Sequence, residues 1–186
     1  MEPRPNRLNG THHRCGDHVV VDKRAYDLRI PFTHTPLWRH SHPARGDIVA
    51  FTSPVDGTLY VKRVIGLPGD TIAMQGDVLV INGKTARFVA HAGAKGHLSI
   101  LEQIDGHTHL IALENVGSDS TGFGPVTVPM DAYLLMGDNR HESFDSRHFG
   151  FVDRDRILGQ AMTVAFSLDY DRAFLPRPDR LMKPLH

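Results

Sequence analysis

The sequence has a single cysteine, Cys15, so no internal disulfide can staple the fold. It has no surplus of either charge: 21 basic and 21 acidic residues leave a formal net charge of zero with histidine neutral. A chain without a basic excess is a poor general binder of nucleic acid, and none is expected as a partner. Long apolar runs are missing too. Stretches such as Ala132-Tyr133-Leu134-Leu135-Met136 fall far short of the ~18 residues that a membrane-spanning helix needs. The opening Met1-Glu2-Pro3-Arg4-Pro5-Asn6-Arg7 is polar and is no secretory leader, so the sequence as it stands reads as soluble. Hydrophobic residues still reach 40% and charged residues 23%, which excludes a wholly disordered or collagen-like chain. With 186 residues, the chain suits one domain, or one with a modest insertion, and a core that needs no staples.

Helical patterning is equally scarce, with no 3.6-residue apolar period lasting beyond about two turns. Short strand signals take its place. They are His18 to Val21, Asp47 to Phe51, Tyr60 to Ile65, Asp77 to Ile81, Leu110 to Leu113, Ala132 to Met136 and Ala161 to Phe166. Most are rich in β-branched residues and bounded by Gly, Pro, Asn or Asp. Asn82-Gly83 after the fourth run is a strong hairpin turn of the primed type. The pattern predicts a mainly β fold. Composition shifts toward Gly and His between about residues 83 and 130, which reads as a smaller inserted subdomain. From Asp169 onward the chain is charged, carries Pro176, Pro178 and Pro184, and reads as a tail wrapping the surface.

Three features bear on chemistry. Histidine is abundant, at 13, and two His-x-His pairs occur, His40/His42 and His107/His109. In a strand, each pair places two imidazoles on one face, as a shared metal requires; solvated surface histidine is the other reading. No second cysteine or nearby acidic cluster completes a site, so no metal or cofactor is expected. Lys62 sits inside an apolar strand, where Tyr60, Lys62 and Val64 share one face and Val61, Arg63 and Ile65 the other. Desolvation there lowers the pKa of the amine, and a neutral lysine is a competent general base. The other reading is a lysine on an edge strand, or one whose head reaches water. The third feature is Gly137-Asp138-Asn139-Arg140-His141-Glu142-Ser143-Phe144-Asp145-Ser146-Arg147, which directly follows an apolar strand. Asp138 and Arg140 lie two apart, as do Asp145 and Arg147, so each couple is a candidate ion pair bracing a tight loop.

These segments, taken together, resemble a family. Arg45-Gly46-Asp47-Ile48-Val49-Ala50-Phe51, then Tyr60-Val61-Lys62-Arg63-Val64-Ile65-Gly66-Leu67-Pro68-Gly69-Asp70, then Gly137-Asp138-Asn139-Arg140 through Asp145-Ser146-Arg147-His148-Phe149-Gly150-Phe151-Val152, are similar in order and content to three boxes of bacterial type I signal peptidases, also called leader peptidases. Gly16-Asp17-His18-Val19-Val20-Val21-Asp22-Lys23 resembles the strand after the family's serine box. The resemblance implies an antiparallel β-sheet catalytic domain, residues 1–70 plus 131–186, with a smaller inserted β subdomain, residues 71–130. It also implies a membrane-associated serine–lysine peptidase that removes signal peptides from exported preproteins and needs no cofactor. A serine hydroxyl attacks the scissile carbonyl, and a neutral lysine takes its proton. Lys62 matches that lysine and Ser143 the hydroxyl that orients its amine. Asp138, Arg140, Asp145 and Arg147 match polar residues that brace the site.

One departure stands out. The family's nucleophile sits in a Ser-Met-x-Pro-Thr-Leu box a few residues before the Gly-Asp matched by Gly16-Asp17. Ungapped matching from Gly16 places Leu8 at the serine, and leucine attacks nothing. The alternative uses Met1-Glu2-Pro3 as Met-x-Pro, followed by a short insertion. The serine is then expected immediately before Met1, with the family's membrane anchor upstream, and the 186-residue chain alone is expected to be inactive. Ser41 and Ser53 lack the family's context. The competing expectation is a non-catalytic homologue that kept a peptide-binding groove.

The family further implies substrates with small residues at the first and third positions before the cut, held by backbone pairing to a sheet edge. It places the enzyme, as a monomer, at the outer, periplasmic face of the inner membrane. Pro31-Phe32-Thr33-His34-Thr35-Pro36-Leu37-Trp38-Arg39-His40 mixes apolar and basic residues in a Pro-punctuated loop. Either it meets the membrane surface with Trp38 at headgroup level, or Trp38 packs into the body.

Overall fold

The structure, a computed structural model, describes residues 17–29, 36–90, 98–113, 122–169, 175–176 and 182–185. Strands dominate, as the short β-branched runs predict. In chain order they are β1 (Asp17–Asp22), β2 (Asp27–Arg29), β3 (Pro36–Arg39), β4 (Ile48–Thr52), β5 (Leu59–Gly66), β6 (Thr71–Gln75), β7 (Val78–Ile81) and β8 (Lys84–Thr85). They continue as β9 (Arg87–Ala90), β10 (Leu98–Ile104), β11 (His107–Leu113), β12 (Phe123–Thr127), β13 (Ala132–Met136), β14 (Val152–Asp153) and β15 (Ile157–Asp169). A single turn of helix, α1 (Ser146–Phe149), is the one α-helix among the described residues.

The main sheet has the order β1-β15-β4-β5-β13-β14, all pairs antiparallel. Strand β15 is the longest, and residues 175–176 and 183–184 add short pairings along it, so part of the charged tail lies against the body. Between β5 and β13 the chain builds two more sheets, β12-β6-β7-β8 and β11-β10-β9. The primed turn expected at Asn82-Gly83 is present, with φ of 51° and 76° at the two residues. Asp105-Gly106 makes the same kind of turn between β10 and β11, with φ of 48° and 87°.

Strand β5 carries the fold's two-sidedness. Tyr60 and Val64 pack with Val49, Phe51, Tyr133, Leu135, Val152 and Ile157 in one core cluster. Ile65, on the other face, packs with Ile72, Met74, Leu79, Leu134 and Met136 in a second. The second cluster draws residues from the main sheet and from the β6–β7 hairpin, so the two layers share a core. Gly66 is where they come closest. A Cβ there would stand 2.2 Å from Ile72 Cδ1 and 2.9 Å from Leu134 Cβ, inside any real contact. Buried Arg45 ties the start of the layer together, donating to Ile65 O at 2.5 Å and pairing with Asp70 at 3.0 Å. Asp70 in turn accepts from Leu67 N at 2.7 Å and from Asn82 Nδ2 at 2.7 Å.

Candidate active site

Strand β5 lies between β4 and β13, so Lys62 is not on an edge strand. Its register partner on β4 is Val49. On the other side the last pair is Met136↔Arg63, and Lys62 stands just beyond it, where β13 gives way to the loop starting at Gly137. The side chain is only 2% exposed. Its Nζ donates to Ser143 Oγ at 2.8 Å and lies 5.9 Å from the centre of the Tyr60 ring. Burial depresses the amine's pKa to about 8; the Asp145 and Asp138 charges pull it back up and Arg147 pushes it down. The amine thus exchanges a proton much nearer neutral pH than a solvated lysine does.

Ser143 is presented by a loop folded on itself by Asp145. This carboxylate accepts from Gly137 N at 2.9 Å and from Arg147 N at 3.2 Å, capping α1. Arg147 closes a fork on it, with Nε at 2.8 Å and Nη2 at 2.7 Å, and donates also to Arg140 O at 2.6 Å. Burial alone raises the Asp145 carboxyl, but the bonds and charge of Arg147, the Gly137 N–H and the Ser143 hydroxyl outweigh it. The carboxyl is held below its usual range. Ser146 Oγ accepts from Leu135 N at 2.9 Å, pinning the loop's far end to β13.

The couple Asp145/Arg147 is therefore an ion pair, as its spacing suggests. The couple Asp138/Arg140 is not arranged that way. Asp138 takes the fork of Arg63, both bonds at 2.9 Å, and Arg140 takes Glu102 on β10. The chain bends at these residues, and with the backbone not extended the two side chains leave toward different partners. Sequence reading missed Arg63 and Glu102 as site-bracing residues. Arg63 follows the lysine directly, which was the available signal; Glu102 has none nearby.

The histidine pairs do not gather a third ligand: among the described residues no group of three His, Cys, Asp or Glu is placed to hold a metal. His109 is buried with its Nε2 3.1 Å from Glu102, whereas His107 is exposed and sits against Gly46. His40 is exposed and meets Trp38 edge-on, with ring centres 6.4 Å apart. Trp38 does not pack into the body: it lies on strand β3 rather than in a loop and is 65% exposed, beside Leu37 at 72%. Ser53 is fully buried in the turn after β4, with its hydroxyl accepting from Val55 N at 3.2 Å. Met1-Glu2-Pro3, Leu8 and Cys15 lie outside the described residues. No helix among the described residues is long and apolar enough to cross a membrane.

The site thus buries an amine against a loop hydroxyl within an antiparallel sheet, and comparison with known proteins gives the class. The family model described as signal peptidase, peptidase S26, matches residues 10–166, and the chain belongs to that family. Signal peptidase I of Bacillus licheniformis is 42% identical over 124 residues, covering 66% of this chain and 59% of that protein. Signal peptidase I of Pseudomonas aeruginosa is 33% identical over 168 residues, covering 82% of this chain and 59% of that protein. The chain thus spans somewhat under two-thirds of the length of these relatives. A crystal structure of a signal peptidase I from Enterococcus faecalis shares 34% identity over 64% of this chain and 97% of that one, at a TM-score of 0.42.

Proposed function

We propose that this chain carries the catalytic unit of a signal peptidase I, a serine endopeptidase that uses a Ser–Lys dyad to remove signal peptides from exported preproteins. Residues 1–70 and 131–186 form that unit, with 71–130 inserted in it. The observation that carries the reading is Lys62, a buried amine 2.8 Å from Ser143 Oγ. In its neutral form the amine has two N–H groups and one lone pair. Donating to Ser143 fixes its rotation and leaves the lone pair for the hydroxyl of a serine nucleophile. That hydroxyl attacks the scissile carbonyl as its proton passes to Lys62. The protonated amine then gives the proton to the leaving amine, and the acyl-enzyme is hydrolysed by a water that Lys62 deprotonates. Arg63–Asp138 and Arg147–Asp145 keep the loop and strand in register during these steps.

Residues with small side chains before the cut and an extended backbone suit the sheet-edge recognition that the family implies. Exposed Leu37 and Trp38 support contact with a membrane surface, with the unit acting as a monomer on the periplasmic side. The match of Met1-Glu2-Pro3 to Met-x-Pro supports a nucleophile immediately before Met1. The parent gene's codon at that position tests this placement: serine supports it, and any other residue sends the search elsewhere. The test of the dyad is cleavage of a preprotein by the protein with its natural upstream residues. Lys62→Arg and Lys62→Met should abolish turnover, because a guanidinium does not release its proton and a thioether has none to exchange. Ser143→Ala should slow it less. A protein that binds signal peptides yet never cleaves them, with Lys62 intact, overturns the reading in favour of a peptide-binding homologue.

A further inference from the structure

The loop that presents Ser143 is also held from the segment between β5 and β13. Ala112 on β11 donates its N–H to Asp138 O at 2.9 Å and accepts from Arg140 N at 3.1 Å. His141 Nε2 lies 2.8 Å from Asp77 Oδ1 in the turn between β6 and β7. The strongest of these ties is between side chains. Arg140 donates through Nη1 to Glu102 Oε1 at 2.8 Å and through Nη2 to Glu102 Oε2. Glu102 is fully buried and Arg140 is 1% exposed. His109 Nε2 lies 3.1 Å from the same carboxylate, a close polar contact rather than an aligned hydrogen bond.

A buried ion pair does little for stability compared with apolar residues of the same volume. What a bidentate fork does supply is a single placement, because both bonds are satisfied in one geometry only. We infer that Glu102 is a positioning residue for the Lys62–Ser143 pair, acting through Arg140. The inference rests on reading Lys62 as the base.

The connection is continuous. Glu102 fixes Arg140; the carbonyl of Arg140 accepts from Arg147; Arg147 forks onto Asp145; Asp145, by accepting also from Gly137 N, folds the loop that presents Ser143; and Ser143 accepts from Lys62. A shift of Arg140 therefore moves the hydroxyl that shields and orients the amine. Glu102 touches neither the amine nor the hydroxyl, and its effect is entirely on where they stand.

The test reads Lys62 directly. Lysine carrying carbon-13 at Cε, with the Lys62 signal assigned by its loss in Lys62→Met, is titrated from about pH 7 to about pH 12 against free lysine. Glu102→Gln leaves Arg140 buried without its counter-charge and should lower the melting temperature. The double variant Glu102→Leu/Arg140→Met removes both charges, so stability should return. The loop has then lost its register, water reaches the amine, and the Lys62 midpoint should move up toward the ordinary ~10.4. Recovered stability with an unmoved Lys62 midpoint overturns the inference, since the pair is then structural only. Glu102→Asp keeps the charge and retracts the carboxylate by one methylene. It should raise the Lys62 midpoint by a smaller step, and it decides the matter if the double variant does not fold. A wild-type Lys62 that titrates at the ordinary ~10.4 is a different failure: it sinks the reading of Lys62 as the base.

Discussion

Lys62 and Arg63 are consecutive on β5 and grip one loop from opposite faces of the strand, Lys62 at Ser143 and Arg63 at Asp138. Strand alternation makes this possible: adjacent side chains point to opposite sides, and the loop after β13 sends one arm to each. A shift along the strand would exchange the two contacts, so the register of β5 sets both the amine's partner and the loop's anchor.

Lys62→Met should stabilise the protein at neutral pH. The folded amine has a pKa of about 8, below the unfolded value of ~10.4, so the unfolded chain holds the proton more tightly. The resulting penalty grows as pH falls from ~10.4 toward 8 and is full below it, at roughly 3 kcal/mol. Losing the bond to Ser143 offsets about 1 kcal/mol of the gain. Thermal unfolding across pH should show the variant more stable at pH 7, with the gain fading under alkaline conditions. Destabilisation at every pH would show an ordinary solvated or paired lysine.

Arg63→Met should cost roughly 3–5 kcal/mol, because it strands the Asp138 carboxylate in the interior. Asp138→Leu should cost a similar amount for the converse reason. Arg63→Met/Asp138→Leu should recover most of the loss. Urea unfolding of the four proteins gives the coupling as a double-mutant cycle. Additive losses would mean that the pair is solvated.

Asp145→Asn should flatten the acid side of the stability curve. The folded carboxyl is depressed, so its contribution is complete above the unfolded value of ~3.9 and is lost as pH falls through the lower folded value. The variant should therefore be the less stable protein at pH 7, and the gap to wild type should close on acidification. Urea midpoints measured down the acid range check this; a gap that stays constant refutes it.

Gly66→Ala should destabilise by about 1–3 kcal/mol through overpacking between the layers. Adding Ile72→Val removes the atom that stands 2.2 Å from the new methyl but not Leu134 Cβ at 2.9 Å, so relief should be partial. Melting temperatures of the two variants decide it.

Much of the sheet and the key amine were legible in the sequence. The strand signals from His18 to Phe166 each coincide with a strand to within one residue at the start, and Lys62 between Tyr60 and Val64 has to be desolvated once β5 is interior. The Asp105-Gly106 turn carries the same signal as Asn82-Gly83 but went unread, and with it the β10–β11 hairpin that bears Glu102. Asp145–Arg147 follows from local spacing because the carboxylate also caps α1. Arg63–Asp138 and Arg140–Glu102 do not follow from spacing. They join residues far apart in the chain: pairing of β5 with β13 in the main sheet brings the first couple together, and packing of the inserted segment against that sheet brings the second.

The chain leaves the main sheet at Gly66 and returns at Ala132 to the strand next door, with Leu134 opposite Gly66. A tight hairpin turn makes that connection in most antiparallel sheets. The whole excursion is thus an elaboration on a link that topology does not require. A protein shortened there would keep its strand order but would expose Ile65, Leu134 and Met136, and it would lose Asp77, Glu102 and Ala112, which hold the Ser143 loop from the far side. Changes in this dispensable-looking stretch therefore offer a way to retune the amine's proton affinity without touching the strand that carries it.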